Sequence, residues 1–201
     1  MSRRSGAPSK GDRREQALLD AAEELLAAVP FEEVTVDAIA KGAGISRAAV
    51  YFYFGSKQDV LAALVARTMT AVRQGADLAA DDAATPPAEL AERAARAVAR
   101  VWQEHGTVMR AAVDHAFAHP DIGAAWTAVV EEFAAVMTRV LLRAGLPDST
   151  GPQGAAALAA ALCWMTERTF YRAACVPDPD WDGTAATVAE VWRRVMAAPA
   201  A

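Results

Sequence analysis

Arg47, Ala48, Tyr51 and Phe52 are spaced so that, at about 100° per residue, they fall on one side of a short helix, with Ala49 and Val50 on the other. These are residue types that can read double-stranded DNA. A guanidinium bonds a guanine edge or a phosphate, a phenol donates to phosphate, and the small Ala48 lets the backbone approach base edges closely. Lys57 follows behind a Ser56 cap, where a helix N-terminus and an ammonium group attract the same anion. Between Ala38 and Gln58 stand three cations, Lys41, Arg47 and Lys57, and no carboxylate.

The other reactive groups form weaker patterns. His115 and His119 lie four apart with Asp114 and Asp121 beside them, a spacing that can clasp a metal, but the catalytic glutamate of a zinc-protease helix is missing and surface or helix-end histidines are the plainer reading. Glu167 and Arg168 suit a structural ion pair. Cys163 and Cys175 are the only cysteines, too few for a metal knuckle or a disulfide framework, and they read as small buried hydrophobes. No phosphate-cradling glycine loop or nucleophile elbow is present, so no cofactor is implied.

The DNA-facing residues need a scaffold, and Thr35 to Lys57 supplies one: two short helices joined by a turn. Thr35 caps the first, with Val34 and Ile39 in staple positions. Gly44 takes the left-handed conformation that ends it, and Ser46 caps the second, stapled by Ile45 and Val50. Ala40 and Ala43 keep the two helices close. Such a unit presents its second helix to a major groove.

GAGISRAAVYFYFGSK, preceded by TVDAIAK, resembles the DNA-binding signature of the TetR family of bacterial repressors. The resemblance implies an all-α dimer of about nine helices. A small N-terminal helix-turn-helix domain would bind an operator, and a ligand in a larger C-terminal helical domain would lower that affinity. By position it implies that Thr35 and Ser46 lie near phosphate, that Arg47 and Ala48 lie over bases, and that Tyr51, Tyr53 and Lys57 grip the backbone. Helical spacing turns Tyr53 inward instead; at the last turn its ring can pack while its hydroxyl stays wet.

Length and charge set the frame. A chain of 201 residues forms one domain or two small ones, and 54% hydrophobic residues without alternating strand-like runs favours helices. No run is long and apolar enough to span a bilayer, and the first residues lack the apolar core of a signal peptide, which places the protein in the cytoplasm. The net charge of −5 opposes indiscriminate nucleic-acid binding, yet residues 1–14 hold five cations against one acid, while residues 61–201 hold 12 against 16. Basic character at one end suits a protein that touches DNA there alone.

The expected organisation is a disordered basic arm over 1–11, a DNA-binding domain over 12–58, and a ligand-binding and dimerisation domain over 59–201. A helix is expected from Asp12, with Glu15 completing a capping box, to Val29, where Pro30 stops it. A fourth helix runs from Ser56 to about Asp77 and crosses into the larger domain, so its tilt is the natural transmitter. After a loop marked by Pro86 and Pro87, five segments follow: 87–104, 107–118, 121–144, 152–173 and 182–197.

All five tryptophans lie in this second half. Any one of these large residues could simply fill a core; together, set among many alanines, they suit a closed apolar cavity. Candidate lining residues are Trp102, Met109, Phe117 and Trp126, then Phe133 and Met137, and finally Trp164, Phe170 and Trp192. LCWMTERTFYRAA and VAEVWRRVM further resemble the last two helices of the EthR subgroup of this family. That resemblance implies a long hydrophobic channel, with Cys163 and Thr166 where relatives carry amides, and hence a hydrophobic small molecule with one or two polar atoms. An alanine face of Ala155, Ala156, Ala159 and Ala160, with Val188, Val191 and Val195, is the candidate two-fold homodimer interface.

The sequence thus points to a repressor released from double-stranded operator DNA by a hydrophobic effector, with no membrane partner. A constitutive dimeric regulator without effector, and less readily an enzyme using the aromatic cavity, are the alternatives.

Overall fold

The computed structural model describes residues 9–80, 82 and 84–197, apart from five side chains within 71–79; of the disordered arm expected over 1–11, residues 1–8 lie outside the described residues, and Lys10 and Gly11 are helical instead. Within them the fold is all-α: α1 (Lys10–Ala28), a 3-10 turn (Phe31–Glu33), α2 (Val36–Gly42), α3 (Arg47–Tyr53), α4 (Lys57–Ala80), α5 (Pro87–His115), α6 (Pro120–Arg143), α7 (Ala155–Ala174) and α8 (Trp181–Met196).

α1 begins earlier than expected. Ser9, not Asp12, is its N-cap: the Ser9 hydroxyl accepts from the Asp12 N–H at 3.1 Å, and the Asp12 carboxylate accepts from the Ser9 N–H at 2.9 Å. Asp12 serves as the third helical residue of that box, which adds most of a turn to the helix. At the other end Val29 is extended, as required before Pro30. Leu18, Leu19, Ala22 and Leu26 turn inward against α2 and α4.

The segments expected over 87–104 and 107–118 are one helix, α5, kinked at His105 (φ −123°, ψ 24°). Gly106 weakens the helix at that point, but Trp102 on one side and Val108 and Met109 on the other are fully buried, and their packing carries the chain through. α6 starts at Pro120, whose missing N–H is harmless in a first turn. Gly145, at φ +93°, reverses the chain beyond its end.

The large helices form one bundle: α5 packs along α8, α4 along α6, and α6 along α7. α4 belongs to both ends of the molecule. Its first residue, Lys57, bonds the carbonyls of Phe31, Glu32 and Val34 and its length packs on α1, while Leu61, Leu64, Val65 and Met69 continue into the core. No helix among the described residues is long and apolar enough to cross a membrane.

Candidate nucleic-acid interface and ligand cavity

The helix-turn-helix forms as its caps dictate. The Thr35 hydroxyl accepts from the Ala38 N–H at 3.1 Å and the Ser46 hydroxyl from the Ala49 N–H at 3.2 Å, each keeping its own hydrogen free to donate. Gly44 sits at φ +66°, where a side chain would be strained. Val34, Ile39 and Val50 are buried beneath the turn. The opposite side of α3 is open: Arg47, Ala48, Tyr51 and Phe52 are all exposed, Phe52 by 83%. An exposed phenyl group on a reading face is chemically suited to a thymine methyl. Tyr53 packs its ring against the core and stands edge-on to Phe52 at 5.2 Å.

Arg47 is already engaged. Its guanidinium pairs with Asp37 at 2.7 Å and donates to the Tyr51 hydroxyl at 3.2 Å, and both neighbours raise its pKa, Tyr51 foremost. Asp37, which sequence reasoning passed over, thus holds the Arg47 guanidinium on the open side of α3. Arg47→Ala is expected to weaken specific DNA binding by about 1–3 kcal/mol if the residue meets a base. Asp37→Asn, which frees the guanidinium and removes a negative charge, should strengthen binding and steepen its salt dependence by about one counterion. Polarisation titrations at several salt concentrations measure both.

Lys57 departs from its expected role. Its ammonium group donates to the carbonyls of Phe31, Glu32 and Val34, each at 2.9 Å, and lies 4.7 Å from the Phe31 ring centre. All three hydrogens are used to hold the 3-10 turn, leaving none to grip phosphate directly.

Eight of the eleven expected ligand residues line one apolar cavity of about 80 Å³. α5 contributes Trp102 and Met109; α6 contributes Trp126, Phe133 and Met137; α7 gives Cys163 and Thr166, and α8 gives Trp192. The other three do not reach it. Phe117 is fully exposed in the turn between α5 and α6, Trp164 is 39% exposed because one step along the helix from Cys163 rotates it outward, and Phe170 is buried in the core away from the cavity. Nine further lining residues lie outside the expected set, among them Met69 from α4, Val188, expected on the dimer face, and Glu167. Glu167 sits four residues beyond Cys163 on the same helical face, a signal the sequence did carry.

Within the cavity the Trp192 indole N–H donates to the Thr166 hydroxyl at 3.1 Å, and burial pushes the Cys163 thiol up to about 12, so it stays protonated. Burial likewise raises the Glu167 pKa, against the lowering effects of Arg168 and the Trp126 indole.

Two histidine–carboxylate contacts tie α5 to the N-terminal segment. His105 Nδ1, at the kink of α5, bonds the Glu23 carboxylate of α1, and Glu23 also pairs with Arg67 of α4 at 2.8 Å. His115 Nε2 lies 3.3 Å from Glu32, with its ring against Phe31. His115 and His119 stand with ring centres 5.9 Å apart, and no cluster of three or more metal-ligating side chains occurs among the described residues.

The expected dimer face is divided. Ala155, Ala159 and Val188 are buried within the chain itself, where small residues let α7 and α8 pack closely against their neighbours, so they offer no surface to a partner. Ala156 is exposed, and Ala160, Val191 and Val195 are half-buried.

Residues 18–64 match the sequence profile of bacterial regulatory proteins of the tetR family, and residues 91–197 match that of the C-terminal domain of the transcriptional regulator EthR. The HTH-type transcriptional regulator EthR of Mycolicibacterium smegmatis is 33% identical over 196 residues, covering 94% of this chain and 88% of its own. EthR of Mycobacterium tuberculosis is 35% identical over 181 residues, covering 84% and 79%. Among solved structures, a TetR-family regulator from Syntrophomonas wolfei superposes with TM-score 0.78 at 12% identity over 95% of this chain and 98% of that one. A TetR-like regulator from Rhodococcus sp. RHA1 gives 0.67 at 23% over 96% and 100%.

Proposed function

This chain belongs to the TetR family of bacterial regulatory proteins and is a ligand-responsive, DNA-binding transcriptional regulator; we propose that it acts in the cytoplasm as a homodimeric repressor, released from its operator when a hydrophobic molecule fills the cavity. The helix-turn-helix with α1, expected over 12–58 and starting here at Lys10, is the proposed DNA-binding domain, and the rest of the chain from 59 the proposed effector and dimerisation domain. Arg47, Ala48, Tyr51 and Phe52 face the major groove, with Thr35, Ser46 and Tyr53 positioned toward phosphate.

The observation that carries this reading is the reach of α4. Its first residue, Lys57, holds the 3-10 turn beside the reading head, and Met69, three turns on, lines the cavity. A cavity of about 80 Å³ is tight for an effector, since ligand sites commonly enclose ~300–1,000 Å³. A molecule that enters must spread the walls, and Met69 is one of them. Because the kink at His105 lies between Trp102 and Met109, movement of the α5 wall also reaches Glu23 on α1. The ligand therefore favours a conformation in which two reading heads no longer match successive major grooves, ~34–36 Å apart.

The exposed residues of α7, Ala157, Ala161, Trp164 and Arg168, recur at helical spacing beside Val191 and Val195 of α8. This stripe is the proposed two-fold contact. It retains part of the face expected from sequence and explains why a tryptophan is left partly in solvent.

The test is fluorescence polarisation of the purified protein on DNA from its own upstream region, with and without a library of hydrophobic compounds. Saturable release supports the repressor reading; tight binding that no compound alters supports the constitutive alternative. His105→Ala should reduce the ratio of operator affinities without and with ligand by about threefold or more, while leaving ligand-free binding nearly unchanged.

A further inference from the structure

Glu167 is 7% exposed, lines the cavity, and has no hydrogen-bond partner at either carboxylate oxygen. The nearest cation is its neighbour Arg168, whose Nε lies 3.7 Å from Oε2, beyond hydrogen-bonding distance. That guanidinium is 58% exposed and rests over the Tyr171 ring at 4.9 Å, so it faces away from the interior. A buried carboxylate with vacant lone pairs is costly to leave unmatched, and native interiors rarely do so without a purpose.

Among the other cavity side chains only the Trp126 indole acts on Glu167, and it leaves both carboxylate oxygens without a hydrogen bond. The residues contributed by α4, α5, α6 and α8 carry no charge, and on α7 the remaining polar groups are the protonated Cys163 thiol and the Thr166 hydroxyl, which is bonded to Trp192. The unmatched charge-bearing acceptors of the cavity are thus the two Glu167 oxygens. A ligand presenting only acceptors, such as an ester or a carboxylate, could take the Thr166 or Cys163 hydrogen but would leave the Glu167 oxygens unmatched. A ligand presenting N–H donors would complete the site. Trp102, Trp126, Trp192 and Phe133 line the same space, and aromatic faces favour a cation over a neutral donor.

We propose that the effector is a hydrophobic amine whose protonated nitrogen donates to the Glu167 carboxylate while its apolar body lies among the tryptophans. This assignment rests on the ligand-responsive reading above and narrows it to one chemical class. Amine binding draws Glu167 into its ionised form, so association should strengthen as pH rises from 5 to 7.5 while the amine remains protonated.

Three probes of equal length separate the possibilities: decylamine, decanol and decanoate, each below its micelle concentration, followed by tryptophan fluorescence and thermal shift on the intact protein. Decylamine should bind about tenfold or more tighter than decanol, and decanoate should not bind in the same range. In Glu167→Gln the amine and alcohol affinities should come within about threefold of each other. The comparison in the unsubstituted protein stands even if the variant does not fold. Decanol binding as tightly as decylamine, or no binding by decylamine, overturns the amine assignment. Operator release by any hydrophobic compound in the polarisation assay judges the ligand-responsive reading separately, so either idea can fail alone.

Discussion

Replacing Trp102 with alanine should lower the unfolding free energy by about 3–5 kcal/mol, the range for deleting a large aromatic from a packed interior. Trp102 is 2% exposed, stands edge-on to Trp126 at 6.2 Å and to Tyr171 at 6.4 Å, and forms part of the cavity wall immediately before the α5 kink. The loss combines removed apolar contact with the void left behind, and an existing cavity at that point limits how far the neighbours can collapse inward. Urea denaturation measures the change. Free indole should restore part of the stability in proportion to its occupancy, because it binds the folded form alone. A loss under about 1 kcal/mol would mean that the wall relaxes freely. It could not then transmit the entry of a ligand.

The second large effect is expected at Lys57. Lys57→Met keeps most of the aliphatic length but strips three carbonyls of their donor and Phe31 of its cation, at a cost of about 2–3 kcal/mol to the folded reading head. DNA affinity should fall because the helix-turn-helix is less often formed, while the salt dependence of the remaining binding stays nearly unchanged. A residue that gripped phosphate would behave oppositely, reducing the salt slope by about one at constant stability. Thermal melts combined with salt titrations distinguish the two.

The contrast at Lys57 shows where sequence reasoning stopped. The charge and the helix start were legible, but the carbonyls it serves lie 23 to 26 residues earlier, in a turn that local pattern does not announce. The reading head itself was plain because its determinants are local: capping hydroxyls at Thr35 and Ser46, stapled apolar pairs, and one glycine at Gly44. In α1 the Asp12–Glu15 pattern points to a start at Asp12, but the Ser9–Asp12 box one turn earlier, with aspartate in the place a glutamate usually takes, is the one that forms. Most of the cavity was legible as a concentration of aromatic and flexible side chains; Trp164 was not, since one helical step separates the inward Cys163 face from solvent. Alanine carries no sign of what it packs against, so the Ala155 and Ala159 face read equally well as an intermolecular or an internal contact, and proved internal. Glu167 was weighed against Arg168, its neighbour in sequence, whereas its surroundings are set by helices α5, α6 and α8.

α4 is 24 residues of unbroken helix, about 36 Å of stiff rod. Pivoted near its far end, such a rod turns a swing of ~5° into a sideways travel of ~3 Å at the tip, comparable to one base-pair step along a duplex. Lever arithmetic of this kind lets a modest molecule act on something as stiff as DNA. Under the proposed mechanism an effector need only nudge Met69 by a fraction of the final travel, and in the proposed homodimer a two-fold mate swinging in the opposite sense would double the misfit.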